Sequence, residues 1–246
     1  MSLLANLTTS TDIEDEKDVV GGGYSPLESG LYPATIRLAY LQKSSGGALS
    51  LVLNLETDAK REIRQTLWMT SGDAKGNLNY FVNKDGEKQY LPGFTHANAL
   101  ALLTVGKEIS QLEPEKKVIN LYNKEAKGEV PTPVEMLTEL LGQEILVGVI
   151  KQTVDKTAKD DAGDYVPTGE TRDENEIDKF FRARDRKTTA EIRASKDAVF
   201  ADTWAAKWNG QTKDKSSKGK GVGGVAGAPK AAANAASNKP TTSLFG

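Results

Sequence analysis

Three neighbouring segments alternate apolar and polar residues with a period of two, and this pattern constrains the fold more than any other feature of the chain. Residues 30–40 (GLYPATIRLAY) set Tyr32, Ala34, Ile36, Leu38 and Tyr40 on one face and Arg37 on the other. Residues 48–55 (ALSLVLNL) turn Leu49, Leu51, Leu53 and Leu55 the same way. Residues 62–70 (EIRQTLWMT) place Ile63, Gln65, Leu67 and Met69 on one face and Arg64, Thr66, Trp68 and Thr70 on the other. Such alternation marks half-buried strands. The Ser44-Ser45-Gly46-Gly47 and Thr57-Asp58 turns join them into an antiparallel meander.

The rest of the chain adds elements in a readable order. Lys75-Gly76 and Lys84-Asp85-Gly86-Glu87 are turn signals around residues 78–82, so a β-hairpin is expected after the third strand, closed by Pro92-Gly93. Residues 95–105 are expected to be helical, with Thr95 as N-cap and Gly106 at the end. A second short helix is expected at 133–141, with Thr132 as cap, Pro133 at the first helical position and Gly142 as stop. Residues 144–153 (EILVGVIKQT) read as a central strand, in which Gly148 signals a bulge or a close backbone approach. Residues 155–164 form a polar hairpin tip, and 165–171 return as the fifth strand. Residues 195–208 are expected to form an amphipathic helix that packs back with Trp204 and Trp208 in the core. The class is therefore mainly β with α. Five strands with a helix between the third and fourth have the connectivity of the OB-fold, a five-stranded Greek-key barrel.

Only 38% of the 246 residues are hydrophobic, so part of the chain is not expected to join a core. Residues 211–246 are rich in Gly, Ala, Ser and Lys, carry a net charge of +5, and are expected to be a disordered basic tail. Residues 1–23 are expected to be a flexible N-terminus, with five acids (Asp12, Glu14, Asp15, Glu16, Asp18) and a Gly21-Gly22-Gly23 run. Residues 24–210 remain as the folded domain. The tail ends in Leu244-Phe245, which reads equally as a partner-docking tip and as a chance apolar pair.

Several function classes drop out. The chain has no cysteine and one histidine, His96, which removes thiolate chemistry, cysteine-bound zinc and His-rich metal sites. No apolar run is long enough to span a membrane, and Met1–Ser10 followed by acids is not read as a secretory signal. No nucleophile elbow, phosphate-binding glycine loop or paired-histidine metal motif occurs. His96 reads as a surface or cap-adjacent residue. Asp160, Asp161 and Asp164 read as a solvated tip rather than an ion site. No enzyme, cofactor or metal is expected.

Binding residues are better represented. Seven of the sixteen aromatics fall between Tyr24 and Tyr90. Trp68 stands beside Arg64 on the face opposite the core, and reads equally as a ligand platform and as a residue covered by the C-terminal helix. Tyr80 and Phe81 sit on a hairpin bordered by Lys75, Lys84 and Lys88. Any base offers a π-face, so aromatics beside cations suit single-stranded nucleic acid of any sequence. Arg37, Arg61 and Lys151, with Arg64 and the three lysines, are the candidate phosphate contacts.

The 30–55 stretch, Trp68-Met69-Thr70-Ser71-Gly72, Lys75-Gly76, Leu91-Pro92-Gly93-Phe94, the NEIDKFF of 175–181 and residues 188–192 together resemble the single-stranded-DNA-binding proteins of tailed bacteriophages. The resemblance covers roughly residues 23–210. It implies an OB-fold and non-sequence-specific binding of single-stranded DNA during phage replication and recombination. It also implies the cytoplasm of an infected bacterium, and replication or recombination partners for the tip. The basic tether before Leu244-Phe245 departs from the acidic tails common in such proteins, which puts tail competition for DNA in doubt. The other reading is an OB-type interaction module that binds no nucleic acid, favoured by the net −7 of residues 1–210.

Overall fold

The alternating segments fold as the meander they specify. In the computed structural model, which describes residues 25–161 and 163–217, β1 (Gly30–Lys43), β2 (Leu49–Thr57) and β3 (Glu62–Trp68) pair antiparallel in sequence order. A two-stranded hairpin follows, β4 (Tyr80–Val82) with β5 (Lys88–Tyr90), then the helix α1 (Pro92–Thr104). Next come the hairpin arm β6 (Glu115–Asn123) and β7 (Gly128–Met136), and the long hairpin β8 (Glu144–Lys159) and β9 (Tyr165–Arg182). Two helices, α2 (Thr189–Arg193) and α3 (Phe200–Trp208), and the short strand β10 (Thr212–Asp214) end the described chain.

The main sheet runs β9-β8-β1-β2-β3. β7 pairs briefly with β1 at Tyr40 and Leu41, and β10 lies parallel to β8 at Lys151–Thr153, just past the end of β1's pairing. At the open ends of the path, Ile177 of β9 donates its N–H to the Gln65 side chain of β3 at 2.6 Å. One face of the sheet packs on α1. Ile36, Leu51, Leu53, Leu55, Leu100, Ile145, Val147, Val149 and Ile177 are fully buried there. Burying each such side chain contributes roughly 1.5–3 kcal/mol. Two smaller clusters form elsewhere: α3 with Leu146, Ile150 and Phe181, and the β7 arm with Tyr40.

Several expectations need correction. Residues 133–141 are not a helix. Pro131 and Pro133 lie in β7, where no second strand flanks it, the edge position that tolerates a missing N–H; only Thr138–Leu140 turns, as one 3₁₀ turn. The β6 partner that makes β7 a strand had no counterpart in the sequence reading. α1 starts at Pro92, not after Thr95, whose hydroxyl donates to Leu91 O at 3.3 Å inside the first turn. In β1, a register shift between Ile36 and Leu38 moves Ala39 into the core and sends Tyr40 to the β7 cluster, so residues 32–40 do not share one face. The helix expected over 195–208 is α3 alone, because Ser195 takes a positive φ of 52° and separates it from α2.

The β8–β9 hairpin is longer than expected, and the 175–181 stretch belongs to β9. Gly148 meets both of its signals: the β8–β9 register shifts beside it, and a Cβ there would lie 2.9 Å from the Trp204 ring. The described chain continues past Gly210 into β10. The tail beyond Ser217, including Leu244 and Phe245, and the acidic stretch before Ser25 lie outside the described residues.

Candidate nucleic-acid interface

β3 ends with Trp68 on the sheet face opposite the core, paired with Ser50 and 46% exposed. The C-terminal helix does not cover it; α3 packs on Leu146, Ile150 and Phe181 of β8 and β9. What fixes Trp68 is its own backbone. Gly93, in the first turn of α1, sits so close that a Cβ there would fall 2.0 Å from the Trp68 carbonyl oxygen. That approach explains the Pro92-Gly93 pair: Pro at the first helical position and a residue without a side chain at the second.

The hairpin hangs from this same end of β3. Ser71 donates its N–H to Leu78 O at 2.9 Å, and Leu91 donates to Asn79 O at 2.9 Å. Tyr80 stands opposite Tyr90, and Phe81 opposite Gln89. Phe81 is 44% and Tyr90 63% exposed. Lys88 Nζ lies 4.8 Å above the Tyr80 ring, and Tyr90 stacks on Phe94 with centroids 5.0 Å apart. Lys75 closes a single 3₁₀ turn (Asp73–Lys75) between β3 and the hairpin, and Lys84 sits in the β4–β5 turn. Among the described residues, Lys75, Lys84 and Lys88 form no ion pair.

The other four candidate cations are committed elsewhere. Arg37 bonds Glu56 at 2.8 Å; with Lys60 it holds the Glu56 carboxyl below its ordinary pKa. Arg61 donates to the Ser25 carbonyl. Arg64 pairs with Glu62 at 3.1 Å near the start of β3, on the exposed face but four residues from Trp68. Lys151 lies near β10, well away from the hairpin in the sheet order, and bonds Glu28 at 2.8 Å, which raises its pKa. The structure therefore groups Trp68, Tyr80, Phe81, Lys75, Lys84 and Lys88 around one end of β3. It does not bring Arg37, Arg61, Arg64 or Lys151 into that group.

Tyr90 belongs with the hairpin aromatics and escaped the sequence reading. Its alternation with Lys88 in KQY was the available signal. His96 is half-buried rather than fully at the surface: it packs edge-to-face on Phe180, with centroids 6.1 Å apart, and burial lowers its pKa. Asp160 accepts the Asp164 N–H at 2.9 Å, closing the β8–β9 tip. No helix among the described residues is long and apolar enough to cross a membrane. No protein-family model and no curated protein matches this chain.

Proposed function

We propose that this chain binds single-stranded DNA without sequence preference, on the surface formed by Trp68 and the β4–β5 hairpin and extending along the outer face of β3 to Arg64. The observation that carries this reading is an exposed tryptophan at the end of a sheet strand, beside a hairpin that presents further open aromatics and unpaired lysines. Bases stack on the rings and phosphates meet the ammonium groups, which requires no particular sequence. The strand order β9-β8-β1-β2-β3, with α1 between the meander and the β8–β9 hairpin, supports reading the open sheet as a five-stranded OB-type barrel closed through Gln65. The resemblance to phage single-stranded-DNA-binding proteins supports the same role in replication and recombination, in the cytoplasm of an infected bacterium. Leu244 and Phe245 then serve as the docking tip for a replication or recombination protein.

Titration of labelled oligo-dT with the full chain tests the reading. Trp68→Ala is expected to weaken binding by about 1–3 kcal/mol, the value of one stacked base. Lys84→Gln with Lys88→Gln is expected to reduce the salt slope by about 1.4, about 0.7 per phosphate released. Equal affinity of Trp68→Ala and wild type removes the interface. No binding by wild type at low salt leaves the interaction-module reading, which the excess of acids over bases in residues 25–178 favours.

A further inference from the structure

A second set of aromatic–lysine pairs stands on the helical side of the molecule. α3 buries Trp204 near its middle, 3% exposed, with its indole N–H donating to Asp178 at 2.7 Å. One helical turn to either side, the chain brings an aromatic to the surface: Phe200, 40% exposed, and Trp208, half-buried. Lys179 Nζ lies 6.0 Å from the Phe200 ring centroid. Lys207 and Lys213 lie 4.9 and 5.7 Å from that of Trp208. None of these three lysines forms an ion pair among the described residues. Eight residues of helix separate the two rings by about 12 Å along the axis.

The charge around them is equally distinctive. Residues 179–213 hold nine basic and four acidic residues, against seventeen basic and twenty-four acidic in residues 25–178. Two of the four acids are neutralised locally, Asp185 by Arg182 and Asp202 by Arg186. A third, Glu191, is buried and spent on the backbone N–H groups of Val199 and Phe200. β8 and β9 carry this face, whereas Trp68 stands at the end of β3.

We propose that the Phe200–Trp208 face is a second contact for single-stranded nucleic acid, separate from the Trp68 surface; this rests on the single-strand reading above. Each lysine swings from its ring to a phosphate, and the ring it uncovers takes a base. An acidic protein partner would satisfy the lysines but would leave the paired rings without a role. The ring–cation pairing therefore favours nucleic acid.

Photo-cross-linking of the full chain to 5-iodouracil-substituted oligo-dT, read by peptide mass spectrometry, tests this. Cross-links are expected on peptides carrying Phe200 or Trp208 as well as on those carrying Trp68, Tyr80 or Phe81. The Lys179→Gln/Lys207→Gln/Lys213→Gln variant keeps the packing. It is expected to lower the salt slope by about 2 on an oligo long enough to reach both surfaces, and to bind short oligos like wild type. Cross-links confined to Trp68, Tyr80 and Phe81, with an unchanged slope, overturn this proposal and leave the first surface standing. Cross-links confined to Phe200 and Trp208 sustain this face and overturn the first. Absence of binding by wild type overturns both.

Discussion

Trp68 and Trp204 both stand off the core face of one sheet, and each is held by a glycine, yet their surroundings differ completely. At Trp204, Gly148 makes room for the ring, Asp178 accepts a hydrogen bond from the indole N–H, and Phe181 packs edge-on at 6.4 Å. At Trp68, Gly93 makes room for the backbone only, and the ring is left 46% exposed. A glycine beside a tryptophan thus has two uses: one buries the side chain, the other locks the main chain and leaves the side chain outward. Stability is concentrated at the first site, and the proposed binding at the second.

The largest expected effect breaks that comparison directly. Trp204→Ala is expected to cost about 3–5 kcal/mol in chemical denaturation, through lost burial and the cavity left behind. Trp68→Ala is expected to cost clearly less than Trp204→Ala, because nearly half of the Trp68 surface is already exposed. Comparable losses at the two positions mean that Trp68 is a packing residue. The next effect is at Glu191, which is 8% exposed and accepts from the backbone of Thr188, Val199 and Phe200. Burial pushes its carboxyl up, but these N–H groups outweigh burial and set it below its ordinary range. Glu191→Gln leaves some of these N–H groups without an acceptor and is expected to destabilise by about 1–3 kcal/mol. A depressed carboxylate stabilises the fold above its unfolded pKa, and that stability is lost as pH falls through the folded value. The variant's denaturation midpoint is therefore expected to depend less on pH on the acid side.

The meander was legible because alternation survives in each strand taken alone. What the sequence hid depends on partners distant along the chain. The Thr132-Pro133 to Gly142 pattern fits a helix until residues 115–123 are known to pair with it, and that partner exposes Val118 and Tyr122, which blurs its alternation. The shift after Ile36 is a single inserted residue, and no periodicity argument sees it. Arg37 and Lys151 looked like free cations because Glu56 and Glu28 lie 19 and 123 residues away. Trp68 and the hairpin lysines kept the places read for them because strand and turn signals at short range fix those places.

His96 sharpens the contrast from the buried side. Its folded pKa is depressed, so protonation favours the unfolded chain. Stability is expected to fall as pH drops below about 6.5 and to level off once pH passes the folded value. His96→Phe is expected to remove that slope in denaturant titrations across this window. An unchanged slope assigns it to other groups.

The smallest effect on stability separates packing from binding most cleanly. Arg64 and Glu62 form an exposed pair at 3.1 Å, with Arg64 75% exposed at the side chain. Such pairs contribute about 0.2–1 kcal/mol, and the exposure here puts this one at the low end. Arg64→Gln is therefore expected to leave the denaturation midpoint almost unmoved. The same residue lies four positions from Trp68 on the same face of β3, about 13 Å away, and a strand that runs on from that ring along β3 draws the guanidinium from Glu62 to a phosphate. The variant is then expected to lose about 0.7 from the salt slope of oligo-dT binding. A residue with almost no effect on folding and a measurable one on the slope belongs to a surface kept for a ligand. A residue silent in both measurements marks this face of β3 as ordinary solvated sheet.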